Sequence, residues 1–200
     1  MSLHRFPFAA MASANEILIH DEDAAHAEQL ARAGIAEVHR IEAKYSRYRE
    51  DSIVEQINRA AGHSSVVVDA ETKGLLDFAD ACFRQSGGRF DITSGVLRQI
   101  WDFKTGTIPS RQDLARVLPL IGWQKVQWRA PRFALPRAGM EVDFGGFGKE
   151  YAADRAAAVC AAAGATSGLV NLGGDIRVIG PQPDERPWIV GIRHPRIDGE

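Results

Sequence analysis

The chain has 200 residues, 45% hydrophobic and 25% charged, with a formal net charge of −2 at neutral pH. This is the composition of a folded chain long enough to bury a core, and it excludes a disordered polyelectrolyte. Acidic and basic residues are interspersed, so no polyanion-binding face is offered and nucleic acid is not an expected partner.

The opening, "MSLHRFPFAAMASANEILIH", has neither a charged segment leading into a long apolar core nor a Cys that could be lipidated. No signal peptide is read in it, and the compartment stays open because a leader can be removed. No apolar run along the chain reaches the roughly 18 to 20 residues of a membrane span. A strand is expected over "EILIH" (16–20), then a helix over 22–45. In that helix Leu30, Val38, Ile41 and Tyr45 recur at helical spacing, with Glu28, Arg32, Glu37 and Arg40 opposite. Tyr45 and Tyr48 stand one turn apart at its end. A strand follows at "SVVVD" (65–69), then a helix over 70–86 with Asp69 as N-cap, a buried stripe of Leu75, Ala79 and Cys82, and a stop at Gly87-Gly88. Ser110 and Asp113 form a capping box for a short helix that Pro119 or Gly122 ends. Strands are expected at "KVQWR" (125–129), "FALP" (133–136) and "MEVDF" (140–144). An alanine-rich helix runs from Lys149 to Gly164, and strands return at "GLVNL" (168–172), "DIRVIG" (175–180) and "WIVGI" (188–192). Hairpin-like strands mixed with helices that do not strictly alternate read as α+β. No repeat or linker divides 1–200, so a single domain is expected, and the closing loop "RHPRIDGE" reads as a chain stopped partway. Cys82 and Cys160, in apolar helical patterns without CxxC spacing, read as buried thiols.

Four stretches carry chemistry. "VDFGGFGKEYAAD" joins a strand to a helix through Gly145, Gly146 and Gly148, with Lys149 at the helix start. Its glycine spacing is neither that of a Walker loop nor that of a dinucleotide fingerprint. An ammonium set against the positive end of the helix dipole makes sense with an anion between them. A tight turn with a solvated lysine accounts for the same residues. "LVNLGGDIRVIG" reads as a hairpin whose Gly173 and Gly174 supply φ > 0, a geometry that does not call for Asn171 or Asp175. In "GGRFDITSGVLRQIW", Asp91 and Thr93 read as a cap for the next helical turn. In "KYSRYREDSIVEQIN", Tyr48 lies among charges near a chain reversal, where its ring can stack on a flat ligand.

In this order and spacing the four stretches resemble the ApbE family, the FAD:protein FMN transferases. The family pattern of an aromatic-Ser-x-Tyr segment followed by Ser and Asn is matched by Tyr45, Ser46, Tyr48, Ser52 and Asn58. G-x-[FL]-D-[IVP]-T-x-G-x-L, leading to a Trp, is matched from Gly88 to Leu97 and at Trp101. V-D-[LF]-G-G-[IF]-[GA]-K-G-[YF]-A-A-D is matched from Val142 to Asp154, with Glu150 in place of the usual Gly. N-x-G-G-D-[IL] is matched from Asn171 to Ile176, and "AMASANEI" resembles the opening A-M-G-T-x-[WYF]-x-[IV].

The resemblance implies an ApbE-type α+β fold, present as its N-terminal two-thirds, and a groove for FAD beside the glycine turn. Met11 and Tyr48 would flank the flavin, Arg89, Phe90 and Asp91 would bind another part of the dinucleotide, and Asp143 and Lys149 would contact ligand. The Gly146 carbonyl would be one ligand of Mg²⁺, a hard cation that takes oxygen donors. The implied reaction moves FMN from FAD to a Thr or Ser hydroxyl of a target flavoprotein, an electron-transfer subunit, and releases AMP. A flavin-binding module without transferase chemistry and a pyrophosphatase giving FMN and AMP are the other readings. The family's later H-x-[IV]-[DN]-P-x-[TS]-G and D-x-x-x-T segments, whose Asp and Thr complete its magnesium site, do not occur in the 200 residues. The expected result with residues 1–200 alone is therefore no transfer, each ~1.4 kcal/mol of lost transition-state stabilisation being tenfold in rate. The check is the FMN mass increment on a Thr-containing acceptor after incubation with FAD and Mg²⁺.

Overall fold

Strand β1 (Ser2–Ala10) reverses at Met11 and Ala12 into β2 (Ser13–Asp21), pairing Ala10 with Ser13 and Ser2 with Asp21. These and the elements below belong to a computed structural model that describes residues 1–102 and 105–192. The chain folds as two compact units, Met1–Arg40 with Lys149–Glu200, and Ile41–Gly148.

In the first unit the sheet is antiparallel, ordered β1-β2-β6-β7, with β6 (Gly168–Leu172) and β7 (Asp175–Gly180) at the two expected positions. Strand β1 escapes the sequence reading because Pro7 interrupts its middle and its half-buried face is only His4, Phe6 and Phe8. An edge strand tolerates such a proline, since one side of its backbone needs no partner. Helix α1 (Ala24–Tyr45) contributes Ala27, Leu30, Ala31 and Val38 to the core of this unit. Helix α5 (Gly148–Ala162) contributes Ala152, Ala153, Ala156, Ala157 and Cys160. The alanines have a steric reason. A Cβ on Gly34 would stand 2.6 Å from Cys160 Sγ and 2.9 Å from Ile17 Cδ1, so α1, α5 and β2 approach too closely there for larger side chains. Burial pushes the Cys160 thiol up to about 11, which leaves it inert.

The second unit holds α2 (Ile53–Arg59), α3 (Ala70–Gln85), α4 (Arg111–Val117) and a small antiparallel sheet in the order β3-β5-β4. Asp69 caps α3, its carboxylate accepting from the Thr72 amide, and Ser110 caps α4 by accepting from the Asp113 amide. Strands β3 (Val66–Val67), β4 (Gln127–Arg129) and β5 (Arg132–Ala134) are shorter than expected. Side chains complete what the short ladder leaves: Trp123 Nε1 donates to Asp80 at 2.8 Å and Trp128 Nε1 to Asp77 at 2.9 Å, both carboxylates on α3.

Three expectations are corrected. Residues 140–144 form no strand, for the reason given below. Residues 188–192 also form none: Trp188 docks through its side chain, its Nε1 donating to the Gly180 carbonyl at 2.8 Å and its ring 5.8 Å from that of His20. The loop expected over 193–200 lies outside the described residues. Cys82 is only half-buried, because the inner face of α3 is carried by Leu75, Leu76 and Ala79. Tyr48 lies in a turn just beyond the end of α1 at Tyr45, near the chain reversal expected for it.

Glu37 links α1 to α5 within the first unit. It accepts from Arg40 at 2.8 and 2.9 Å and from Arg155 at 3.2 Å. The Arg40 hydrogen bonds outweigh burial and, with Arg155, hold this carboxyl below its usual 4.5. A lowered carboxylate contributes stability above its unfolded value and loses it as pH falls through the folded one. Glu37→Gln should therefore lower the thermal midpoint at pH 7 by about 2 to 4 °C, roughly 1 kcal/mol for partly exposed partners. The gap between variant and parent should close as pH is taken below 4.5, and melting curves across that range check it.

Candidate functional site

In the second unit the site is built on a stretch of extended chain without a neighbouring strand. Met140, Val142 and Phe144 are buried and alternate with the half-exposed Glu141 and Asp143, the period of a strand. The ladder is replaced by other partners. The Val142 amide donates to Asn58 Oδ1 at 2.8 Å, the Val142 carbonyl accepts from Asn58 Nδ2 at 3.2 Å, and the Asp143 amide donates to the Ile92 carbonyl at 2.9 Å. Asn58 is presented by α2, which Ser52 caps by accepting from the Glu55 amide at 3.0 Å. The Ser and Asn of the sequence motif thus act together: one starts the helix and the other uses it to hold residues 140–144.

That arrangement fixes Asp143. Its Oδ1 accepts from the Gly145 amide at 2.9 Å, and its Oδ2 accepts from Arg47 Nη1 at 2.6 Å. Gly95 permits the approach, since a Cβ there would lie 2.7 Å from Asp143 Cβ. Arg47 Nη2 also donates to the Tyr48 hydroxyl at 3.0 Å, and the guanidinium lies over the Tyr48 ring at 5.1 Å from its centroid. Tyr48 is 78% exposed, whereas Tyr45 is buried against Phe144 with its hydroxyl 3.3 Å from Thr72 Oγ1. Of the two tyrosines, one belongs to the core and the other is presented to solvent. The sequence reading does not anticipate that Arg47 binds this aspartate.

The segment from Arg89 to Asp91 sits in the same unit. Arg89 is exposed, and the Phe90 ring is 6.1 Å from that of Phe147. A Cβ on Gly146 would meet Phe90 Cε2 at 2.9 Å, so the glycine turn and this ring fit only as they are. Asp91 caps the 3-10 helix Ile92–Gln99, as its sequence position implies. Its Oδ1 accepts from the Thr93 amide and hydroxyl at 2.8 and 2.6 Å, and its Oδ2 accepts from the Trp123 amide at 2.8 Å. Both oxygens of Asp91 are thus engaged by the protein.

In the first unit two tight hairpins lie at one end of the sheet, because β2 and β6 pair Asn15 with Leu172. The β6–β7 turn has φ of 65° at Gly173 and 109° at Gly174, and Asn171 Oδ1 accepts from the Gly174 amide at 2.9 Å. Asn171 therefore serves the turn, contrary to the sequence reading. The β1–β2 turn has φ of 51° at Met11 and 56° at Ala12, a left-handed geometry costing about 1 to 2 kcal/mol for residues with a Cβ. Asn15, only 6% exposed, holds it: Nδ2 donates to the Ala10 and Ser13 carbonyls at 3.0 and 3.1 Å, and Oδ1 accepts from Ser13 Oγ at 2.9 Å. Lys149, in the first turn of α5, brings its ammonium to this end. A Cβ on Gly173 would be 3.2 Å from Lys149 Nζ and 3.1 Å from Ser13 Oγ. Among the described residues no carboxylate forms an ion pair with Lys149, and Glu150 beside it is exposed. Of the residues singled out from sequence, Met11 and Lys149 lie in the first unit, and Tyr48, Arg89, Phe90, Asp91, Asp143 and Gly146 in the second.

The two antiparallel sheets and their accompanying helices make an α+β fold. The ApbE family profile matches residues 11–200, and the chain belongs to that family. The FAD:protein FMN transferase of Treponema pallidum (strain Nichols) is 30% identical over 172 residues, 78% of this chain and 48% of that protein. The FAD:protein FMN transferase of Chlamydia pneumoniae is 29% identical over 154 residues, 75% of this chain and 49% of that protein. The chain spans about half the length of the curated relatives it matches. Among solved structures, the ApbE protein of Thermotoga maritima MSB8 superimposes with a TM-score of 0.90 at 29% identity, covering 98% of this chain and 65% of that one. The apo flavinyl transferase ApbE of Pseudomonas stutzeri gives 0.82 at 26% identity, covering 96% and 65%.

Asp143→Asn keeps an acceptor for the Gly145 amide and loses only the charge pair with Arg47, whose side chains are 27% and 23% exposed. The thermal midpoint without ligand should fall by no more than a few degrees, each kcal/mol being about 2 to 4 °C at this size. A collapse of more than about ten degrees would make this carboxylate a structural cap.

Proposed function

We propose that the protein to which this chain belongs transfers FMN from FAD to a Thr or Ser hydroxyl of a target flavoprotein, an electron-transfer subunit, and releases AMP. Residues 1–200 would act as one flavin-binding domain in it. The observation that carries the reading is Lys149: a half-buried ammonium at a helix start, over a glycine hairpin and without a carboxylate partner among the described residues. A cation in that setting is completed by an anion, and a pyrophosphate is one. Family membership and the names of the relatives support the same substrate.

In this reading Lys149 holds the pyrophosphate of FAD, Tyr48 and Met11 flank the flavin ring, and Arg89 with Phe90 and Asp91 contacts the rest of the dinucleotide. Since the Asp91 carboxylate is already engaged within the protein, its contribution is to shape the segment that Arg89 and Phe90 present. Asp143 acts beside the glycine turn. The acceptor hydroxyl oxygen forms the new bond to the FMN phosphorus, the bond from that phosphorus to the oxygen bridging to AMP breaks, and the hydroxyl proton is lost. No side chain is assigned as the base. Such a displacement depends on alignment and charge neutralisation more than on a covalent enzyme intermediate.

Mg²⁺ would supply part of that neutralisation, with the Gly146 carbonyl as one proposed ligand. Among the described residues no three or more His, Cys, Asp or Glu side chains converge to hold a metal, so these residues by themselves do not fit a complete magnesium site.

Lys149→Ala should weaken FAD binding by about ten- to a hundredfold, the worth of a charge-assisted hydrogen bond, and leave riboflavin binding unchanged. Asp143→Asn should also weaken FAD. Flavin fluorescence titration measures both. Equal affinity of the unaltered chain for FAD and riboflavin would remove the phosphate role of Lys149 and the reading built on it.

A further inference from the structure

Tyr48 poses a physical problem. It is 78% exposed, in a turn beyond the end of α1, and such a side chain ordinarily samples several rotamers. A stacking platform that must first be ordered binds its ligand less tightly than one already in place. Here the ring is held without being buried. The Arg47 guanidinium lies over it at 5.1 Å and donates to its hydroxyl at 3.0 Å. Arg47 is ordered in turn by Asp143 at 2.6 Å, and Asp143 is pinned by the Gly145 amide and by the close packing of Gly95. The planar, forked guanidinium makes this possible, because one nitrogen serves the carboxylate while another serves the phenol.

We infer that Arg47 is a positioning residue that acts through Tyr48: it ties the ring to the Asp143 anchor and so presents it, pre-ordered, to the flat ring of a flavin. The inference rests on the flavin-binding reading above and adds a residue to it. It separates two jobs within one substrate. Arg47 serves the isoalloxazine end, whereas Lys149 serves the phosphates.

The separation makes the test sharp. Dissociation constants for FAD and for riboflavin are measured by flavin fluorescence on the full chain and on Arg47→Ala, Tyr48→Ala, the double variant and Tyr48→Phe. Arg47→Ala should weaken both flavins by the same factor, roughly three- to tenfold, as expected for loosening one stacking contact. In the Tyr48→Ala background the same change should cost less than about twofold, since a positioning residue has nothing left to position. Tyr48→Phe alters one exposed atom and cannot upset folding. It should weaken both flavins by about two- to threefold through loss of the hydroxyl contact. A loss confined to FAD would assign Arg47 to the phosphates and overturn the inference. Losses that multiply in the double variant, or unchanged affinity in Tyr48→Phe, would overturn it too. If the unaltered chain binds neither flavin, the site reading itself falls; if it binds both and the variants behave otherwise than stated, only the role of Arg47 falls.

Discussion

The side-chain amide of Asn58 stands in for a β-strand. It offers one donor and one acceptor, the set that a neighbouring backbone would present, and satisfies both polar groups of Val142. Without it residues 140–144 would carry buried, unpaired backbone groups, a large penalty in a segment whose Met140, Val142 and Phe144 are already in the core. The position of Asp143 follows from this pairing. From Asp143 follow the glycine turn, through the Gly145 amide, and the orientation of Arg47 and Tyr48. The geometry of the second unit's candidate site therefore descends from one amide group on a seven-residue helix.

The first unit solves a different problem with similar means. Two hairpins end on the same side of its sheet, and each carries an asparagine that bonds its own turn, Asn15 for Met11-Ala12 and Asn171 for Gly173-Gly174. The glycine hairpin adopts its φ values freely. The Met-Ala hairpin does not, and buried Asn15 with Ser13 offsets the strain. The result is a Gly173 turn beside the Lys149 ammonium, where a Cβ would stand 3.2 Å from Nζ and in a strained left-handed conformation. Turns fixed in this way beside a cation that has no carboxylate partner among the described residues fit the proposed phosphate role of Lys149.

Asp91 shows that a motif residue can belong to the framework of the fold. Its carboxylate caps the 3-10 helix and receives the Trp123 amide, so its place in the motif is explained by the fold. Tyr48 is the opposite case: nothing in the packing requires an aromatic ring there, and it is mostly exposed. The two residues lie in adjoining motifs of similar sequence strength, and burial and hydrogen-bond partners are what tell them apart.

By itself the sequence determined what short-range chemistry decides. The caps at Asp69, Ser110 and Asp91, the Gly173-Gly174 hairpin, and the extents of α1, α3, β6 and β7 were legible because each depends on residues within a few positions of one another. The order of the four motifs made the family legible as well. Only the tertiary structure decided that 140–144 is extended chain without a ladder, because its partner Asn58 is 84 residues away and is a side chain. It alone brought Arg47 to Asp143 across 96 residues, added β1 as an edge strand, and sent Trp188 to the sheet by its indole. Alternating hydrophobicity reports that a segment has one buried face. It does not report what satisfies the backbone on either side, and that depends on which distant groups the completed fold brings within hydrogen-bonding distance.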